Sequence, residues 1–457
     1  MALCSSNLTS GFIDLATFDE IEKYMYGGPD ATAYFVRETR KSTWFTQVPV
    51  CLSRASGMPQ FGQEFHVSIS RAGDYLLHTW LRATVPAVNV VGTNEQGVAL
   101  AARWTKNLMH NLVHECQITF NDLVAARFDN YHLDFWSAFT LPASKKAGYD
   151  TMVGNLSQLV DPKQSLPETT LNLPLPFFYS RDSGVALPTA ALPYNEMRIS
   201  FQLRDWTDLL ILETPGAATE SRSVPTLANL NGVAPELKNV QVWANYAIVS
   251  NDERKRMACA PRDILVEQVQ TAPRQSFTPA TNPQQSFDVR FSHAIKVLFF
   301  SARNTTARNE WSNYGSLSPL VYDPNTAVVS SNDLDADPIS VTSLIYENTQ
   351  RLSQMGSDYF SLVNPYYHAQ SVPTTLGLHM YSYSLDFLCL DPMGSTNYGK
   401  LTNVSVVPEA SAAAVAAAGG KDLDGADVAP QKYELVVTAV NNNIIRVSGG
   451  ALGFPVL

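Results

Sequence analysis

Met197-Arg198-Ile199-Ser200-Phe201-Gln202-Leu203-Arg204 carries an apolar side chain at every second position. Side chains of an extended chain point alternately to opposite faces, so this octet reads as a strand with one buried face and one wet face. The alternation recurs in Phe65-His66-Val67-Ser68-Ile69, Cys116-Gln117-Ile118-Thr119-Phe120, Phe287-Asp288-Val289-Arg290-Phe291 and Tyr433-Glu434-Leu435-Val436-Val437-Thr438-Ala439. Antiparallel sheets are the kind that tolerate a solvated face. Between these runs 27 prolines punctuate the chain, as in Leu173-Pro174-Leu175-Pro176, Leu187-Pro188 and Leu192-Pro193. A proline has no backbone N–H to give a ladder, which leaves such segments as loops or sheet edges. Many short strands with Pro- and Gly-rich connections predict an all-β chain of sandwiches or jelly rolls.

Helices are few in this reading. Ser250-Asn251-Asp252-Glu253 has the S-x-x-E form of a capping box, and the helix formers Arg254 to Ala258 follow it. A short helix is therefore predicted at about 251–259, stopped by Pro261. Phe128, Tyr131, Phe135 and Phe139 recur at helical spacing, which predicts a second helix capping one end of a sheet. An internal echo divides the chain: Phe65-x-Val67-x-Ile69-Ser70-Arg71 matches Phe287-x-Val289-x-Phe291-Ser292-His293 at an offset of 287 − 65 = 222 residues. In both copies an apolar strand follows and ends near an arginine, Arg82 or Arg303. Two places compete for the boundary, the loop-like stretch from Thr214 to Pro235 and the helix after Ser250.

Composition narrows the function classes. The 457 residues suffice for two or three domains, and only 16% are charged while 45% are hydrophobic. Lys plus Arg is 32 and Asp plus Glu is 42, so the net charge of −10 repels a phosphate backbone. Cys4, Cys51, Cys116, Cys259 and Cys389 are odd in number and widely spaced, unlike a disulfide framework or a zinc knuckle, which suggests a reduced, intracellular origin. Asp14, Asp19, Glu20 and Glu22 precede the first basic residue, Lys23, contrary to a secretory or mitochondrial presequence. No run approaches the roughly 18 apolar residues of a membrane helix. N-x-S/T sequons stand at Asn7, Asn155, Asn304 and Asn403.

Catalytic and ligand motifs fail on inspection. Gly394 to Lys400 has the spacing of a phosphate-binding loop, but Leu401 stands where a Ser or Thr would hold magnesium, and a strand rather than a helix is predicted next. His110 and His114 are four residues apart with His132 nearby, yet no glutamate of an H-E-x-x-H motif and no cysteine pair accompanies them. Asp333-x-Asp335-x-Asp337 starts like a calcium loop and then places Pro338 and Leu344 where Gly and a bidentate Glu are needed, while Asp422-x-Asp424-Gly425-x-Asp427 is a shorter acidic loop. Asp182-Ser183-Gly184 is a turn signature with no histidine brought to it. The expectation is a protein without catalytic, cofactor-binding or metal-binding residues. Carboxylate pairs that meet only in three dimensions keep a β-sandwich carbohydrate-active enzyme or lectin as the alternative.

Several stretches together resemble the major capsid proteins of iridoviruses and other large nucleocytoplasmic DNA viruses. They include Gly11-Phe12-Ile13-Asp14-Leu15-Ala16-Thr17, Arg103-Trp104-Thr105-Lys106-Asn107, Leu173 to Phe178, Arg181 to Gly184 and Leu192 to Glu196. Val249-Ser250-Asn251 with Glu253-Arg254, Arg290 to Ala294, Tyr346 to Thr349, Gly394 to Gly399 and Gly453-Phe454-Pro455 continue the match. The resemblance implies a double jelly roll, two tandem eight-stranded sandwiches, with three chains forming a pseudo-hexagonal capsomer that tiles an icosahedral shell. It implies an N-terminal arm at 1–30, a first jelly roll at 31–250, a connecting helix at 251–263 and a second jelly roll at 264–457. The implied partners are further copies of the chain, minor capsid proteins and an internal membrane-associated layer, in a virion assembled in the host cytoplasm. The acidic first 22 residues offer no basic arm for a packaged genome, so no direct contact with nucleic acid is expected. Which residues make the trimer contacts is not readable from sequence.

Overall fold

The computed structural model describes residues 2–94, 97–214, 222–316, 337–373, 375, 377–421, 425, 427 and 429–454, the side chains of 2–7 excepted. Residues up to Trp44 form one compact unit and Phe45 onward another. In the first unit, α1 (Ala2–Ala16) and α2 (Glu20–Met25) follow one another, and the Asp19 carboxylate caps α2 by accepting the Glu22 N–H at 2.9 Å.

In the second unit the Met197 octet becomes a central strand. Numbering only the strands of the two sandwiches, the first contains β1 (Phe45–Cys51), β2 (Glu64–Ser68), β3 (Tyr75–Val85), β4 (Val113–Phe120), β5 (Leu123–Asp129), β6 (Thr169–Pro174), β7 (Met197–Leu203) and β8 (Lys238–Val249). One sheet runs β1-β8-β3-β6 and the facing sheet β2-β7-β4-β5, with a short strand, Arg54–Gly57, outside β2. β7 pairs with β2 on one side and β4 on the other, and its inward Ile199 and Phe201 are fully buried, Phe201 stacking on Phe65 at 5.0 Å. Each such side chain stabilises the fold by about 1.5–3 kcal/mol through the water it leaves. Pro174 ends β6, an edge strand where its missing N–H costs no ladder bond.

The second sandwich contains β9 (Arg262–Thr271), β10 (Phe287–Asp288), β11 (Ala294–Asn304), β12 (Ile339–Tyr346), β13 (Thr349–Gly356), β14 (His379–Ser382), β15 (Val404–Ala410) and β16 (Tyr433–Ser448). Its sheets run β9-β16-β11-β14 and β10-β15-β12-β13, the orders of the first sandwich repeated. The echo in the sequence falls on equivalent places, a short strand in one sheet (β2, β10) leading to a long strand in the other (β3, β11). Its two arginines are not equivalent, because Arg82 is exposed and Arg303 is buried.

Four local readings change. The predicted helix starts at Asn130, not Phe128: α3 spans Asn130–Thr140, capped by the Asp129 carboxylate, and Phe128 belongs to β5. The alternating run at Phe287 is a ladder only at Phe287 and Asp288, although the Val289 N–H still reaches the Val404 carbonyl at 2.9 Å. The strand expected from Leu401 begins at Val404. The helix after Ser250 is present as α4 (Asn251–Cys259), without the capping box. Instead Asp74, buried at the start of β3, accepts the Val249 N–H at 3.0 Å and the Arg254 guanidinium at 2.8 and 2.9 Å.

Candidate functional site: the junction between the sandwiches

The residues singled out for chemistry do not converge. Gly394 to Lys400 starts no α-helix: Thr396 and Asn397 pair with β11, and the Asn397 side-chain Oδ1 takes the Gly399 N–H at 3.0 Å, capping only the single 3-10 turn Tyr398–Lys400. His110 has both ring nitrogens engaged, Nδ1 2.8 Å from Asp134 and Nε2 2.6 Å from the Tyr149 hydroxyl, leaving none for a metal. His114 lies 3.1 Å from the Arg204 guanidinium, and His132 sits apart among Phe128 and Trp136. Among the described residues no group of three His, Cys, Asp or Glu is placed to hold a metal. Asp333, Asp335, Asp422 and Asp424 lie outside the described residues. Asn304 is buried and bonded to Gln431, so its sequon is inaccessible to a glycan. Asp182-Ser183-Gly184 is the turn it was read as, with Asp182 accepting the Ser183 N–H.

Asp337 is brought to a serine and a histidine: Ser357 Oγ lies 2.5 Å from its Oδ2, and His379 Nε2 lies 2.8 Å from that oxygen and 2.6 Å from Ser357. A catalytic triad uses the two imidazole nitrogens for two different partners. Here one nitrogen faces both, Nδ1 has no partner, and His379 is fully buried. The trio fastens the start of β12, where Asp337 also accepts the Ile339 N–H at 3.0 Å.

Polar chemistry is instead concentrated where the sandwiches meet. The connection after β11, Asn309 to Tyr314, inserts into the first sandwich. Asn309 donates to the carbonyls of Thr207 and Leu210 at 2.8 and 2.6 Å, and the Trp311 indole N–H to that of Asp208 at 2.8 Å. Asp134 on α3 accepts from Ser312 and Tyr314 on one oxygen, at 2.9 and 2.6 Å, and from Asn107 on the other, at 3.1 Å, beside His110. Arg204 and Arg303, one from each sandwich, lie over the Trp311 ring at 3.8 and 4.2 Å. Burial pulls the Arg204 guanidinium down to about 10.

Several charges at the junction are paired. Arg103 donates to Glu213 at 2.7 Å and to Glu310 at 2.5 Å, and Arg222 bridges the same two carboxylates at 3.0 and 2.6 Å. Burial disfavours the Arg103 charge, but the two glutamates outweigh it and hold the group above its ordinary value. A second clamp sets Glu267 of β9 between Lys296, at 2.5 Å, and Arg181, at 2.9 Å, with Arg181 also over the Trp136 ring. Apolar packing surrounds these groups: Tyr131, Phe135 and Phe139 of α3 cover the outer face of β9-β16-β11-β14, meeting Val297, Phe299, Val436 and Val440. The helix read as a sheet-end cap thus lies between the sandwiches. For the same reason the Tyr433–Val440 half of β16 has no wet face, since Tyr433, Leu435, Val437 and Ala439 fill the sandwich while Val436 and Val440 meet α3; beyond it Ile444, Arg446 and Ser448 are exposed.

His132 gives the junction a pH dependence. Burial, with Arg181 nearby, pulls its pKa down to about 3, and its Nδ1 has no partner. The unfolded chain titrates this group near 6.5 and binds the extra proton, so its contribution is full above about pH 6.5 and is lost as the pH falls toward 3. The loss amounts to a few kcal/mol, as an order of magnitude. Between pH 7 and pH 3 the wild type should lose stability relative to His132→Phe, which has no group to titrate there, as read from their unfolding midpoints; a pH-independent difference contradicts this.

A family profile described as large eukaryotic DNA virus major capsid protein matches residues 253–453, and one described as major capsid protein N-terminus matches residues 33–249. The major capsid protein of Costelytra zealandica iridescent virus is 65% identical over the whole of both chains. Those of Lymphocystis disease virus 1 and Rana tigrina ranavirus are 51% and 45% identical, also over the whole of both chains. Among solved structures, PBCV-1 VP54, fitted into a reconstruction of the virophage Sputnik, superposes with a TM-score of 0.73 at 18% identity, covering 93% of this chain and 100% of its own. The Faustovirus major capsid protein gives a TM-score of 0.67 at 10% identity, covering 94% of each chain. At those identities the likeness shows the fold, a double jelly roll, whose two sandwiches are welded at a junction of ion pairs and stacked rings. Sequence relatedness and fold agree that the chain belongs to the iridovirus major capsid proteins, structural proteins of the virion capsid.

Proposed function

We propose that three copies of the chain form a pseudo-hexagonal capsomer and that capsomers tile the icosahedral shell of a large double-stranded DNA virus, assembled in the host cytoplasm. The observation that carries this reading is the repetition of strand order within one welded unit. Each chain offers two like-built bodies held in one arrangement, so three chains supply six such bodies to a ring. The family profiles, meeting between residues 249 and 253, support a division into a first jelly roll at 31–250, a connector at 251–263 and a second jelly roll at 264–457, after an arm at 1–30. The net charge of −10 and the acidic start of the chain favour an inner face that meets minor capsid proteins and a membrane-associated layer rather than DNA. Native mass measurement of the purified protein should give about three times the 50.2 kDa chain mass, with no salt-sensitive binding to duplex DNA. A monomer stabilised by sugars would replace this reading with the carbohydrate-binding one.

A further inference from the structure

The matching topology makes one difference between the sandwiches informative. In the second, the outer face of β9-β16-β11-β14 is covered by α3, the helix that follows β5 of the first sandwich. Among the described residues, the equivalent face of β1-β8-β3-β6 in the first leaves Trp80 and Trp243 only partly buried. Register fixes the equivalence. Phe299 stands as far into β11 as Trp80 stands into β3 (299 − 294 = 80 − 75). Across the sheets the corresponding rows are Thr271, Thr438, Phe299 and Met380 in the second sandwich and Cys51, Trp243, Trp80 and Pro174 in the first.

Phe299 is wholly buried, stacked on Phe135 and Phe139 at 5.6 and 5.4 Å. Trp80 and Trp243 lie parallel at 6.4 Å, both partly buried, and Cys51 is exposed beside them. A cavity of about 800 Å³ opens next to Trp80, walled by Pro174, Leu175, Leu141 and Pro142 among others.

The counterpart of α3 is present, with an outward aromatic face left exposed. After β13, the strand equivalent to β5, residues 357–368 are helical. Tyr359 and Phe360 turn into their own sandwich, whereas Tyr366 and Tyr367, both 72% exposed, and Val363 turn outward. We propose that the Trp80–Trp243 face seats a second copy of this chain, which lays its 357–368 helix across it with Tyr366 and Tyr367 leading, as α3 lies across Phe299 within the chain. Each copy then gives a helix and receives one, a head-to-tail contact that forms a ring when its rotation closes. Paired indoles and exposed tyrosines are the aromatic composition of an interface centre. The proposal rests on the trimer reading above.

Cys51, in the same row as Trp243, serves as a native probe. Tyr367→Cys in a Cys259→Ser background, treated with a short bis-maleimide, should give covalent dimers and trimers that disappear when Cys51→Ser is added. Trp80→Ala and Trp243→Ala should each raise the trimer dissociation constant at least about thirtyfold, with the circular dichroism of the chain unchanged. A trimeric wild type whose Tyr367→Cys variant yields no Cys51-dependent product and which tolerates both alanines overturns the seat and leaves the trimer standing. A wild-type protein that stays monomeric at every concentration overturns both.

Discussion

Glu310→Ala should lower the stability of the folded chain by about 3–5 kcal/mol. Glu310 is 4% exposed and its Oε1 accepts from both Arg103 and Arg222, so the truncation leaves two guanidinium groups sharing Glu213 alone at a dry junction. The cost lies in the uncompensated buried charge more than in the lost contact. Replacing the partners together tests that distinction. Arg103→Met with Glu310→Leu leaves the Arg222–Glu213 pair at 3.0 Å intact and should recover most of the loss. Denaturant unfolding of the three proteins checks this, and a double variant as unstable as Glu310→Ala contradicts it. Glu310 follows β11 while Arg103, Glu213 and Arg222 belong to the first sandwich, so the same variant should also expose the junction to proteases earlier than the sandwich cores.

Phe299→Ala should cost a similar amount, about 3–5 kcal/mol. Its ring stacks on Phe135 and Phe139 and meets the edge of Phe387 at 6.1 Å, and no neighbour can swing in to fill the gap because these rings are themselves buried. Phe299→Leu, which keeps much of the volume, should cost under about 1.5 kcal/mol. The contrast with the first sandwich is informative. Trp80 occupies the equivalent position only partly buried, so Trp80→Ala in the isolated chain should change stability far less than Phe299→Ala. Equal losses in the two variants, compared under conditions where the chain is monomeric, would mean that the outer face of the first sandwich is already packed within the chain.

The strands were legible wherever one side met the core and the other did not, as in Met197 to Leu203. Legibility failed where a second surface intervened. The alternation of Tyr433 to Ala439 is present in the side chains, but both sets are buried, one in the sandwich and one against α3. Nothing in the local sequence distinguishes a wet face from one covered by residues 300 positions away. Phe128 was counted with a helix because its spacing to Tyr131 fits both a helix and a strand end followed by a cap. Ser250 and Glu253 have the right types for a capping box, but the helix entry is held by a tertiary partner instead, Asp74, which binds the Val249 N–H before the helix and the Arg254 guanidinium on it. The junction was the least legible part. Glu213, Arg222 and Glu310 are far from Arg103 in the chain, and ion pairs of that kind have no sequence signature. Only the resemblance drew attention to Arg103 and Arg181, without saying what they hold.

Imaging of the purified protein by electron cryomicroscopy tests the central claim most directly, that the repeated sandwiches of a welded chain are the building units of a capsid ring. The account predicts three-fold particles with six sandwich-sized densities around a ring. Two-lobed single chains, or rings whose density repeats in any number other than six, would contradict it.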